Sequence, residues 1–181
     1  MLTKTYSAAL FGVDGISGWG CGGNLRGEVG ASLDLNEEDV FSANGDDVQL
    51  QVPRAVVAVQ NADLLSRLAK MNAEVMGVTT NPYYDAPTYV LVFVPEDAPN
   101  GVQDASLVLE NMMLAAHSQG LGSCWIHRER EMFATEEGKE LMREWGLPEG
   151  LVGIGALSLG YPDGEPSPAK PRKEGYARVI R

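Results

Sequence analysis

VQDASLVLENMMLAAHSQGLGSCWIHR, Val102 to Arg128, is the stretch on which the reading of this chain turns. Its first part reads as one helix. From Ser106 to Ala116 nearly every side chain is apolar: Leu107, Val108, Leu109, Met112, Met113, Leu114, Ala115 and Ala116. A surface helix carries one apolar stripe, so a helix that is apolar nearly all round is expected to be buried. Gln119 and Gly120 close it, glycine supplying the left-handed C-terminal conformation. Leu121 to Ile126 then reads as a short extended segment. A buried helix that delivers a glycine-hinged ribbon can set backbone N–H and C=O groups against a flat ligand. The same pattern also describes a plain core helix of an α/β domain.

The flanking segments repeat the alternation of strand and helix. Upstream, Ala55-Val56-Val57-Ala58-Val59 is rich in β-branched residues and reads as a buried strand. Asn61 is placed to cap a helix in which Leu64, Leu65, Leu68, Met71, Val75 and Met76 recur at near-helical spacing up to Gly77. Asn81 to Pro87 is a loop, and Thr88 to Val94 (TYVLVFV) is apolar enough for a central strand. Downstream, Thr135 caps a helix with Glu136 and Glu137 in its first turn, where the dipole favours them. Leu141, Met142 and Trp145 form that helix's apolar face. Leu151 to Tyr161 reads as a strand, and Tyr176 to Ile180 (YARVI) as a last one. Strands alternating with helices around one sheet give an α/β or α+β sandwich.

The 181 residues suit one domain with a sizeable core. A net charge of −11 argues against a general nucleic-acid or anionic-membrane binder, since both require a basic surface. Two cysteines, Cys21 and Cys124, form no CxxC or Cys/His cluster, which fits a reducing compartment and not a zinc site. No apolar run approaches the ~18 residues of a membrane span, and the N-terminus lacks a secretory pattern. The expectation is a soluble cytoplasmic protein without a nucleic-acid or membrane partner.

Few side chains advertise chemistry. Gly18 to Gly23 (GWGCGG) formally matches GxGxxG, but no apolar strand precedes it and no helical period follows, so it reads as a loop. His117, in the apolar helix, reads as a satisfied core group. His127 follows Trp125-Ile126 and is placed to reach a ligand edge. Cys124 reads as a small buried hydrophobe. No Ser/His/Asp or Cys/His arrangement points to a nucleophile. Lys170-Pro171-Arg172-Lys173 is the one dense basic cluster, in a segment (Pro162 to Lys173) with four prolines. It is either a solvated tail or a phosphate clamp. In an extended segment Lys170 and Arg172 point to the same side, Arg suits a bidentate grip on phosphate, and Pro171 lowers the entropy lost on ordering.

Residues 53–176 resemble the nitroreductase family of flavoproteins. The resemblance is carried by VVAVQNADLLSRLAKMNAEVMG, NPYYDAPTYVLVFV, SLVLENMMLAAHSQGLGSCWIHRERE and GLPEGLVGIGALSLGYPDGEPSPAKPRK, in family order. It implies an α+β sandwich: a central mixed β-sheet flanked by helices, assembled as a homodimer with FMN at the interface. It implies that the backbone of Cys124, Trp125, Ile126 and His127 lies along the flavin ring and that Lys170 and Arg172 meet its phosphate. It implies hydride transfer from NAD(P)H through FMN to nitroaromatics, quinones or similar small-molecule acceptors, with no catalytic side chain because the flavin carries the chemistry.

The chain departs from the family pattern before residue 53. The Arg-Arg-Ser-x-Arg type motif that also holds FMN is missing, and Arg54 stands where a later flavin motif has Trp. Residues 1–15 (MLTKTYSAALFGVDG) are instead similar to the opening of magnesium-chelatase-like ATPases. The chain is therefore divided into an atypical segment, 1–52, and a nitroreductase-like FMN-binding domain, 53–181. At roughly 1.5–3 kcal/mol per charge-assisted contact, losing two or three weakens FMN binding by about 3–9 kcal/mol. The alternative reading is accordingly a flavin-deficient domain with a binding role or no catalytic function.

Overall fold

Asn61 sets the first boundary in the computed structural model, which describes residues 55–164, 170–171, 173–175 and 177–180. Its side-chain oxygen accepts from the N–H groups of Asp63 (3.1 Å) and Leu64 (3.0 Å), so strand β1 (Ala55–Val59) gives way to helix α1 (Ala62–Met76). Gly77, at φ 69°, ends α1 in the left-handed conformation that costs glycine little. Strand β2 (Thr88–Pro95), helix α2 (Gly101–Ser118) and strand β3 (Gly122–Ile126) follow, then helices α3 (Glu129–Ala134) and α4 (Glu136–Glu144) and strand β4 (Leu151–Gly160). Thr135 caps α4, its hydroxyl accepting from the Gly138 N–H at 3.1 Å. What was expected of residues 1–54, Arg172 and Tyr176 lies outside the described residues, including the Gly18–Gly23 loop and Cys21.

The four strands form one sheet in the order β1-β2-β4-β3. With helices packed on it, this is the α+β class expected. The sheet was expected to be mixed, but every pairing among the described residues is antiparallel. A last strand was expected at 176–180. Residues 177–180 form none, and Val179 and Ile180 are exposed, because no described strand offers them a ladder.

Each face of the sheet carries its own core. On one, Val90, Val92, Leu157 and Leu159 pack with Ala105, Leu109, Met112 and Ala116 of α2. On the other, Leu91, Phe93 and Ala156 pack with Leu68 and Met71 of α1, Met132 and Phe133 of α3, and Leu141 of α4. Strand β2 is buried along Thr88–Val94, as its unbroken apolar run requires. Helix α2 corrects the expectation of burial all round. It buries one stripe, Ala105, Leu109, Met112 and Ala116, while Leu107 is 57% exposed. Among the described residues it has the sheet on one side only. His117 is exposed in its last turn and is not a core group.

Close approach to β4 depends on two glycines. Where the β2–β4 register shifts between Val92 and Phe93, Gly153 faces the start of α3. A Cβ there would lie 2.9 Å from the Glu129 carbonyl oxygen and 3.0 Å from its carbonyl carbon, both backbone atoms that cannot swing aside. Two residues on, a Cβ at Gly155 would run into Trp125 Nε1 and Leu109. The Gly153→Ala substitution should therefore push α3 off the sheet and destabilise the protein by roughly 1–3 kcal/mol, the usual scale of overpacking. A lower midpoint of urea unfolding at unchanged m-value checks it.

Candidate functional site

The ribbon expected to face a ligand is strand β3, at the edge of the sheet. It pairs with β4 on one side, Gly122 against Gly160 through Ile126 against Ala156. Its other edge meets no described strand. An unpaired edge presents backbone N–H and C=O groups that need a partner. Alternation along the strand turns Trp125 and Cys124 to opposite faces. Cys124 packs half-buried against the core shared with α1, α3 and α4, much as its small size suggested. Trp125 lies over Gly155 and remains 48% exposed, and its ring sits 5.7 Å from that of exposed His127. Ile126 is buried and anchors the ribbon.

Of the residues singled out in the sequence, Cys124, Trp125, Ile126 and His127 thus lie together on one ribbon. Lys170 is exposed and far along the chain in a segment without regular structure. Its partner Arg172 lies outside the described residues. The ribbon's outer edge meets no described strand, and Trp125 adds an exposed aromatic face. Among the described residues no group of three His, Cys, Asp or Glu could hold a metal ion.

Behind the ribbon lies a polar cluster that sequence reasoning missed. The chain leaves β3 through Arg128, whose φ of 90° turns it into α3. The carbonyl of His127 accepts from Asn72 Nδ2 at 2.9 Å, the tie between this bend and α1. Glu129, the first residue of α3, is fully buried. Its Oε1 accepts from the Tyr83 hydroxyl at 2.9 Å, and that hydroxyl also lies 3.7 Å from Met132 Sδ. Tyr83 is held by Ser158, whose hydroxyl donates to the Tyr83 carbonyl at 3.0 Å, and by stacking on Tyr89 at 4.0 Å between ring centroids. Two buried oxygens have no partner, Glu129 Oε2 and Asn72 Oδ1.

This environment decides the charge of Glu129. Burial pushes its carboxyl up to about 7, outweighing the Tyr83 hydrogen bond that favours the ionised form. Burial likewise raises the Tyr83 phenol well above its usual range, helped by the carboxyl beside it. One sequence signal was readable. Leu64, Leu68 and Asn72 share a helical stripe at spacings of four, so Asn72 is a polar residue at a core position. Nothing local distinguished Tyr83 from Tyr84, or Glu129 from its charged neighbours.

The raised carboxyl carries a stability prediction with a definite sign. Unfolded, Glu129 loses its proton near pH 4.5; folded, near 7. Its contribution is most favourable below pH 4.5, declines as pH rises to 7 and is constant beyond. The Glu129→Gln protein, which cannot ionise, should gain on the wild type across that window, by about 3 kcal/mol at 1.36 kcal/mol per pH unit. Urea unfolding of both proteins at pH 5 and pH 8 measures the difference.

The comparisons with known proteins agree with this architecture. The nitroreductase family model matches residues 57–161, from β1 through β4. A solved nitroreductase with bound FMN from Bacteroides fragilis superposes with a TM-score of 0.62 at 27% identity, covering 70% of this chain and 75% of that one. An FMN-dependent nitroreductase from Clostridium difficile shares the fold at a TM-score of 0.60 and 23% identity, covering 70% and 78%. An Archaeoglobus fulgidus protein provisionally named NADH dehydrogenase/NAD(P)H nitroreductase is 42% identical over 65 residues, 35% of each chain. A Methanothermobacter thermautotrophicus protein of the same provisional name is 29% identical over 123 residues, 63% of this chain and 58% of the relative. The chain thus spans between about a third and three-fifths of the length of these curated relatives. Because the family model takes in every strand of the sheet and more than half of the sequence, the chain belongs to the nitroreductase family.

Proposed function

We propose that this protein is an FMN-dependent oxidoreductase that passes hydride from NAD(P)H through the flavin to a nitroaromatic, quinone or similar small acceptor. The observation that carries the reading is the β3 ribbon, an edge strand of the described sheet with Trp125 half-exposed beside His127. The FMN bound to the Bacteroides fragilis relative supports the choice of ligand. In this reading the backbone of Cys124, Trp125, Ile126 and His127 lies along the ring. Lys170 and Arg172 neutralise the phosphate, with 53–181 as the flavin-binding domain. When bound, FMN supplies a ring that accepts and then donates hydride. The protein's part is to orient that ring and exclude water from one face.

We further propose a homodimer. Val102 and Leu107 are exposed apolar side chains on α2, and Val179 and Ile180 expose two more near the end of the chain. Burying such groups against a second copy removes apolar surface from water. We also propose a cytoplasmic location, with which two cysteines in no CxxC or Cys/His cluster are compatible. Among the described residues no helix is long and apolar enough to cross a membrane.

A specific observation favours the rival reading, a flavin-deficient binding domain: the Arg-Arg-Ser-x-Arg type motif is missing from residues 1–52. The absorption spectrum of the purified protein, taken after adding FMN and removing the excess, separates the two. Flavin bands at about one FMN per chain are expected, and their absence supports the rival. Arg172→Ala should then lower FMN affinity about tenfold or more, the loss of one charge-assisted contact, as read by flavin fluorescence titration. Light scattering should give a dimer mass at micromolar concentration, and Leu107→Glu should shift it towards the monomer.

A further inference from the structure

The flavin-facing ribbon is tied to helix α1 by the bond from Asn72 Nδ2 to the His127 carbonyl. A carbonyl oxygen can only accept, so this bond fixes the orientation of the Asn72 amide and leaves Oδ1 as an acceptor facing the protein interior. There it has no donor. Asn72 and Glu129 both lie against the Tyr83 hydroxyl. Glu129 Oε1 is satisfied by that hydroxyl, while Oε2 is buried without a partner. Each orphan supplies what the other lacks when Glu129 carries its proton. A neutral acid has one O–H to donate and Asn72 Oδ1 is an acceptor without a donor.

We propose that protonated Glu129, acting through Asn72, is the positioning device for the His127–Arg128 bend of the flavin ribbon, and that loss of its proton releases the bend. The proposal rests on the reading of β3 as the flavin-facing strand for its functional consequence, though the latch itself does not. In the protonated state Glu129 Oε2–H donates to Asn72 Oδ1, and Asn72 Nδ2 stays on the His127 carbonyl. On ionisation Oε2 becomes a buried anion without a donor. The Tyr83 hydroxyl is already spent on Oε1 and the Glu129 backbone N–H already favours the anion, so the further donor on which the latch calls is the Asn72 amide. Turning that amide to meet the anion brings Oδ1 towards the His127 carbonyl, acceptor against acceptor, and the tie is lost.

The groups facing Glu129 leave its proton as the controlling variable. Tyr83 comes from the 81–87 loop and has Tyr89 of β2 behind it; both phenols are raised by burial. Glu131, on the same helix, adds repulsion that favours the neutral acid. The facing strand, Leu151–Gly160, contains no ionisable residue, and α1 presents the uncharged Asn72. Burial brings the transition close to neutrality, where a modest change in pH redistributes the two states.

The test compares the full-length wild type with Glu129→Gln, whose amide donates like the neutral acid and cannot ionise. FMN affinity is measured by fluorescence titration from pH 6 to 8.5. Because His127 and the FMN phosphate are themselves ionisable, the decisive quantity is the difference between the two profiles. Wild-type affinity should fall about tenfold more than that of Glu129→Gln across this range. Amide hydrogen exchange of residues 122–128 is followed over the same range in the flavin-free proteins, corrected for the intrinsic rate. Protection should drop with pH in the wild type and hold in Glu129→Gln. Tyr83→Phe, which removes the hydrogen bond that favours ionisation, should move the wild-type transition to higher pH. Identical exchange profiles in wild type and Glu129→Gln would overturn the latch, as would a Tyr83→Phe transition unchanged in pH. If no FMN binds at any pH while exchange still follows Glu129, the flavin reading fails and the latch stands. If FMN binds and the two affinity profiles coincide, its role in positioning the ribbon for flavin fails.

Discussion

Helices can approach strand β4 closely only because two of its positions carry no side chain. Gly153 admits the backbone of α3 at Glu129, and Gly155 admits Trp125 and Leu109. Everything at the candidate site is placed by these approaches. The first brings Glu129 inside and against Tyr83. The second lets the Trp125 ring lie on the sheet instead of swinging into solvent. A methyl group at either point would force apart the atoms packed on the face it meets, Glu129 at one and Trp125 and Leu109 at the other. The shift in β2–β4 register between Val92 and Phe93 belongs to the same device, since an extra residue in one strand re-aims the side chains around it.

A core built this way ordinarily excludes charge, yet it holds a carboxylic acid, a phenol and an amide within hydrogen-bonding reach. Burying such groups costs free energy unless each finds a partner. Here the accounting closes best with Glu129 neutral, because an ionised Oε2 would be a buried anion without a donor. Burial and hydrogen bonding pull its proton affinity in opposite directions, and burial dominates. The polar cluster sits where α1, α3 and the 81–87 loop meet behind the ribbon. It links the positive-φ bend at Arg128 to helix α1.

Chemistry carried by a bound cofactor, as proposed above, fits the lack of any legible nucleophile or acid–base pair along the sequence. In that reading the ribbon offers backbone groups and an aromatic face and leaves the reactivity to the ligand. In a chain this acidic the one dense basic cluster, Lys170 to Lys173, stands out as one short stretch.

The order and type of the elements were legible because each follows from local pattern. Asn61 and Thr135 cap helices through side-chain oxygens that accept from nearby backbone N–H groups, the glycines stop them, and TYVLVFV is apolar without a break and therefore central. The grouping of Cys124, Trp125, Ile126 and His127 was equally local, being four consecutive residues. Burial of α2 on one stripe, with Leu107 exposed, was not legible, because composition cannot say how many neighbours a helix has. Nor was the antiparallel sheet, since pairing direction depends on which strands meet. The cluster of Asn72, Tyr83 and Glu129 was hidden for the same reason. These residues lie far apart in the chain, and only Asn72, a polar residue on the apolar stripe of α1, stands out in its own neighbourhood. By itself the sequence determined which segments are helix, strand and ribbon, because those choices are set by side-chain period and capping over a few residues. Only the tertiary structure decided that Glu129 is buried and holds its proton towards neutrality, because desolvation belongs to the packed surroundings and not to the residue.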